Sequence, residues 1–133
     1  MSSKPESTFT KGVLKYLPPE VYVMKNNNPY VGGIPDLWFS GNAGDLWLEM
    51  KFLPNTPLRA SVDVKKLLSP LQVKWLTDRY AEGRAVAVVV GCPDGGIILR
   101  DQEWLWDYTP EMCRTRLVPR KSIAQWIAQT TMR

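Results

Sequence analysis

Residues 33–52 run Gly33-Ile34-Pro35-Asp36-Leu37-Trp38-Phe39, then Ser40-Gly41-Asn42-Ala43-Gly44-Asp45, then Leu46-Trp47-Leu48-Glu49-Met50-Lys51-Phe52. Two apolar-rich runs flank a connection of small, turn-forming residues, which is the composition of a β-hairpin. With Phe39 facing Leu46 and pairing proceeding outward one residue at a time, Trp38 lies opposite Trp47, Leu37 opposite Leu48 and Asp36 opposite Glu49. Side chains alternate along a strand, so Leu37, Phe39, Leu46, Leu48 and Met50 share one face. Asp36, Trp38, Trp47, Glu49 and Lys51 share the other. One face is core and the other carries chemistry.

Opposed residues on an antiparallel pair have β-carbons roughly 4.5–5.5 Å apart, so two carboxylates placed there repel unless a proton or a cation intervenes. A hard divalent cation supplies a reason for the pairing, because Mg²⁺ is held by one or two carboxylates together with waters and phosphate oxygens. Lys51 projects to the same side, where it would orient or deprotonate an attacking water or hold phosphate charge. Met50 between them offers a backbone carbonyl as a further oxygen donor. The competing reading is a pair of solvated acids on a half-exposed strand, and it requires a different hairpin register.

Working outward, residues 6–17 carry Phe9, Val13, Leu14 and Leu17 at helical spacing before Pro18-Pro19, predicting a first helix. A strand is expected over residues 20–26, and Asn26-Asn27-Asn28-Pro29 then reads as a turn. Residues 54–68 show no period and read as a basic, mobile loop. Ser69-Pro70 is an N-cap followed by proline at the first helical position, with Leu71, Trp75 and Leu76 continuing a helix towards Gly83. Residues 85–90 suit a strand buried on both faces. Pro93-Asp94-Gly95-Gly96 turns into a short strand over residues 97–100, and the remainder reads as helical pieces, with Thr109-Pro110 as a second cap. The order predicts an α/β fold with a central mixed sheet flanked by helices, and 133 residues fit one domain spanning 1–133.

Composition narrows the chemistry. The chain has no histidine, so no histidine base, histidine triad or His-bearing zinc site can operate. Two cysteines, Cys92 and Cys113, cannot build a four-thiolate site. With 17 Lys+Arg against 13 Asp+Glu the net charge is +4, which permits a polyanionic partner. No apolar run reaches the roughly 18 residues of a membrane-spanning helix, and residues 1–8 lack the apolar centre of a secretory signal. A soluble, cytoplasmic protein is expected.

Gly33-Ile34-Pro35-Asp36 followed by Glu49-Met50-Lys51 resembles the PD-(D/E)xK nuclease signature, and with it a restriction-endonuclease-like core. More narrowly, the chain is similar to the virus-type replication-repair nuclease (VRR-NUC) family of stand-alone phage and bacterial type. That family combines a glutamate on an N-terminal helix, a GxPD motif, an ExK motif and a following helix opened by leucine, a turn residue and glutamine. Those positions match Glu6, Gly33 to Asp36, Glu49 to Lys51, and Leu68 to Gln72, and the similarity spans residues 6–90. The resemblance implies that Asp36, Glu49 and the Met50 carbonyl hold Mg²⁺, with Mn²⁺ as substitute, and that Lys51 is the catalytic lysine. It implies that Gln72 supports the site and that Glu6 adds an acid through bound water, although an acid in a first helical turn also serves the helix dipole. It further implies a metal-dependent DNA endonuclease acting on branched DNA, a Holliday junction or a flap, as a homodimer. The alternative is an inactive module of the same fold that binds nucleic acid or protein.

Basic residues surround the proposed site without forming one block. Lys25 with Asn26, Asn27 and Asn28 stands just before the GxPD motif and is the first choice for contacts near the scissile phosphate; Lys65 and Lys66 come next, with Lys11 and Arg59 as further contacts. Trp104, Trp106, Trp126 and Ile127 either complete the core or cover a two-fold interface.

Overall fold

The computed structural model describes residues 4–26 and 32–133. Five strands form a mixed sheet in the order β1(Tyr22–Lys25), β2(Leu37–Ser40), β3(Asp45–Phe52), β5(Val86–Cys92), β6(Gly95–Leu99). Neighbours are antiparallel except β3 and β5, which run parallel. The crossover between them holds β4(Val62–Asp63), α2(Val64–Leu67) and α3(Pro70–Ala81). After β6 the chain forms a 3-10 turn (Glu103–Leu105), β7(Asp107–Tyr108), α4(Pro110–Arg116) and α5(Arg120–Thr131).

The hairpin register is the one its alternation demands: Phe39 pairs with Leu46, Trp38 with Trp47 and Leu37 with Leu48. Leu37, Phe39, Leu46, Leu48 and Met50 are all buried, in one cluster with Phe9, Val13, Ile123 and Ile127 from the helices α1(Lys4–Leu14) and α5. Burying each such side chain is worth about 1.5–3 kcal/mol. A one-residue slip would turn all five to the opposite face, so this register is strongly enforced. On the other face, Val86, Val88 and Val90 of β5 meet Leu76 of α3 and Trp104 and Tyr108. All seven residues of β5 are buried, as a strand covered on both sides requires.

Helix α3 begins as the sequence indicates. Ser69 Oγ accepts from the Gln72 N–H at 3.1 Å while Gln72 Oε1 accepts from the Ser69 N–H at 2.9 Å. This reciprocal cap satisfies two otherwise orphaned donors. Thr109 caps α4 in the same position, accepting from the Met112 N–H at 3.1 Å.

Two expectations need correction, and one open alternative is decided in favour of the core. Residues 54–68 are not simply loop: Val62 and Asp63 pair with Tyr108 and Asp107, and α2 follows directly. The segment is also tethered, Thr56 Oγ1 donating to Asp94 Oδ2 at 2.6 Å and Arg114 to the Leu58 carbonyl at 3.3 Å. The first helix ends at Leu14, its last residues continuing as turns to Leu17. Trp104 and Ile127 are fully buried and Trp126 lies partly against the core, so only Trp106, 49% exposed, remains available for an interface at that site.

Candidate active site

Asp36 ends the segment Gly33-Ile34-Pro35 and immediately precedes β2; its carbonyl accepts from the Asn26 N–H at 2.8 Å, extending the β1–β2 pairing by one step. Gly33 is required by two independent constraints. Its φ is +89°, where side chains are rarely tolerated, and a Cβ there would lie 2.5 Å from the Leu71 carbonyl oxygen. The start of α3 is therefore seated directly against the segment that delivers Asp36.

Glu49 lies in the middle of β3, one step beyond the Leu37–Leu48 pair, and is only 5% exposed. This burial removes the reading of two solvated acids. The Asp36 and Glu49 carboxyl groups are close enough to act on each other, and Asp36 Oδ1 accepts from the Met50 N–H at 3.3 Å. Burial, and after it the neighbouring Asp36 carboxyl, push the Glu49 carboxyl up to about 9, with Glu6 adding a smaller repulsion. Lys51 opposes the shift: its Nζ is 3.8 Å from Glu49 Oε2. Without a cation, a shared proton relieves two acids that the fold forces together.

The donor set suits a hard cation. Among the described residues no group of three or more histidine, cysteine, aspartate or glutamate side chains forms a metal cage. Two carboxylates completed by backbone, water and phosphate oxygens are the Mg²⁺ habit, whereas zinc prefers nitrogen and sulfur.

The structure thus gathers Asp36, Glu49 and Lys51, with Glu6 close enough to act on Glu49. The other anticipated residues are placed differently. Gln72 commits its side-chain oxygen to the α3 cap. Lys25 pairs with Leu37, a core residue, so the register sets it on the face opposite Asp36. Lys11, Arg59, Lys65 and Lys66 are exposed, on α1, on the tethered segment and on α2. Asn27 and Asn28 lie outside the described residues.

A feature without an assigned role in the sequence lies beside the acids. Tyr22, Trp38, Trp47 and Trp75 form a row across β1, β2, β3 and α3, with ring centroids 5.8, 6.1 and 5.5 Å apart. Alternation placed Trp38 and Trp47 on this face. Tyr22 and Trp75 join them only through the sheet order and the packing of α3.

No protein-family model matches the chain, and no curated protein matches its sequence. Among solved structures it is similar to Hjc of Archaeoglobus fulgidus, a Holliday junction resolvase from an archaeal hyperthermophile, with a TM-score of 0.57 and 16% identity over 90% of this chain and 96% of that one. The fold is shared across nearly the whole of both chains. The mixed sheet flanked by helices is restriction-endonuclease-like, as the motifs imply. No helix among the described residues is long and apolar enough to cross a membrane.

Proposed function

We propose that this chain is a metal-dependent endodeoxyribonuclease of the VRR-NUC kind, using Mg²⁺ or Mn²⁺ and acting as a homodimer on branched DNA. The observation that carries this reading is the Asp36–Glu49 carboxyl pair, Glu49 buried and Asp36 half-buried, with Lys51 on the same face of the hairpin. Likeness to a Holliday junction resolvase in fold supports the choice of branched DNA over other phosphodiesters.

Asp36 and Glu49, with the Met50 carbonyl, would hold the cation. When bound, it supplies charge stabilisation to the phosphate and activation of water. The chain supplies the remainder. Glu49 must give up its proton before it can serve as a ligand, and the neighbouring Lys51 ammonium favours that loss. Asp36 is held by the Met50 N–H, so its second oxygen is aimed rather than free to rotate. Lys51 sets a positive charge beside the phosphate and is the nearest group able to exchange a proton with the attacking water, in a chain with no histidine to do so. Lys65, Lys66, Arg59 and Lys11 provide phosphate contacts farther out.

The test is a panel of end-labelled four-way junction, flap, nicked and linear duplexes incubated with Mg²⁺ or EDTA. Metal-dependent cleavage favouring the branched members is expected. Absence of cleavage on every substrate with either Mg²⁺ or Mn²⁺ would overturn the reading in favour of a binding module.

A further inference from the structure

The aromatic row is continuous with the acid pair. Trp38 follows Asp36, and Trp47 precedes Glu49, by two residues on the same face, so the Trp38–Trp47 pair sits two residues along the hairpin, about 6.5–7 Å, from the Asp36–Glu49 pair. That step is comparable to one nucleotide of an extended strand. The row opens towards solvent at its β1 end, where Tyr22 is 59% exposed and Met24, paired with Trp38, is 41% exposed. Trp38 is held in place by its indole N–H donating to Asp45 Oδ2 at 3.2 Å and by the edge of Tyr22 at 5.8 Å. At the far end, the Arg79 guanidinium stands 5.7 Å over Trp75. Arg79 is ion-paired with Glu82 at 2.9 Å and Lys51 stands 3.8 Å from Glu49, so each cation beside the row is matched by a carboxylate.

We propose that Trp38, supported by Tyr22 and Trp47, is a stacking platform for an unpaired nucleobase adjoining the phosphate held at the acid pair. This deepens the nuclease reading and rests on it. Bases inside a duplex have both faces covered by their neighbours and cannot stack on a protein ring; bases at a branch point or at the root of a flap can. The platform would make an unpaired nucleotide next to the cut part of what is recognised. It selects no base, because every base offers a π-face.

The test compares two flap duplexes identical except that the first unpaired nucleotides are thymidine in one and abasic in the other, so that charge is equal and only stacking differs. Binding is followed by fluorescence anisotropy of the labelled DNA in EDTA and low salt, where no cutting is needed. The wild-type chain is expected to bind the thymidine flap about fivefold or more tightly than the abasic flap. Trp38→Ala should lose the preference and Trp38→Phe should keep most of it. Should Trp38→Ala fail to fold, Tyr22→Ala, at a more exposed position, should weaken the preference. Equal wild-type affinities, or a preference that survives in Trp38→Ala, would overturn the platform. So would sedimentation showing that Trp38→Ala turns a dimer into monomers, since a second copy would then cover the row. Cleavage without any base preference overturns only the platform; base preference without cleavage on any substrate upholds the platform and overturns the nuclease.

Discussion

The Lys51 ammonium stands 3.8 Å from a Glu49 carboxylate oxygen, yet the Glu49 proton is held more tightly than in water. Burial and the neighbouring Asp36 carboxyl outweigh the lysine. The site is therefore under electrostatic tension that a divalent cation would relieve, and its consequences can be measured.

Removing either active group should stop catalysis without unfolding the chain. Glu49→Ala and Lys51→Ala are each expected to reduce cleavage of a labelled junction below detection while leaving circular dichroism unchanged and most of the DNA affinity intact. Wild-type rates in either variant would remove the mechanism.

Stability of the metal-free protein should fall as pH rises. The Glu49 carboxyl is raised from 4.5 to about 9 in the folded state, so the native form binds the proton that the unfolded form has released. Stability contributed in this way is complete below about pH 4.5 and is lost progressively up to about pH 9. Urea melts in EDTA at pH 5, 7 and 9 should show this slope, and Glu49→Gln should flatten it. Cation binding should release a proton near pH 7, read as buffer-dependent heat in calorimetry.

Asp36→Asn keeps an oxygen able to accept from the Met50 N–H and removes one of two like charges. A small rise in Tm in EDTA is expected together with loss of cleavage. A clear fall in Tm would contradict the geometry at the hairpin edge.

Gly33→Ala should cost about 1–3 kcal/mol from left-handed strain alone, with more from the Leu71 carbonyl that lies where the new methyl group would go. Denaturant unfolding measures the cost. Cleavage should drop as well, because the same glycine seats α3 against the strand entry that carries Asp36.

Lys65→Ala and Lys66→Ala, at exposed positions in the last turn of α2, should each reduce the salt dependence of DNA binding by about one counterion. Affinity measured between low and moderate salt in the double variant would show a shallower slope; an unchanged slope removes both lysines from the interface.

The hairpin and its chemical face were legible because the alternating side chains and a short connection leave one register that buries all the apolar groups. The α3 start was legible for a similar reason, since Ser69, Pro70 and Gln72 determine it locally. Residues 54–68 were not, because their partners lie far along the chain: Val62 pairs with Tyr108 and Thr56 reaches Asp94. Trp104 and Ile127 showed apolarity without direction, and only the tertiary fold reveals that they face inward. The wrong face for Lys25 follows from β1 pairing with β2, which local spacing does not specify. Gln72 satisfies a helix cap, a use its resemblance to a site residue did not anticipate.

Titration of the wild-type chain with Mn²⁺ at pH 8, followed by calorimetry and repeated with Glu49→Gln and Asp36→Asn, addresses the paired acids most directly. Saturable binding in the wild type that is lost in both variants is the expected result. No binding, or binding unchanged in both variants, would contradict a cation site built on these two carboxylates.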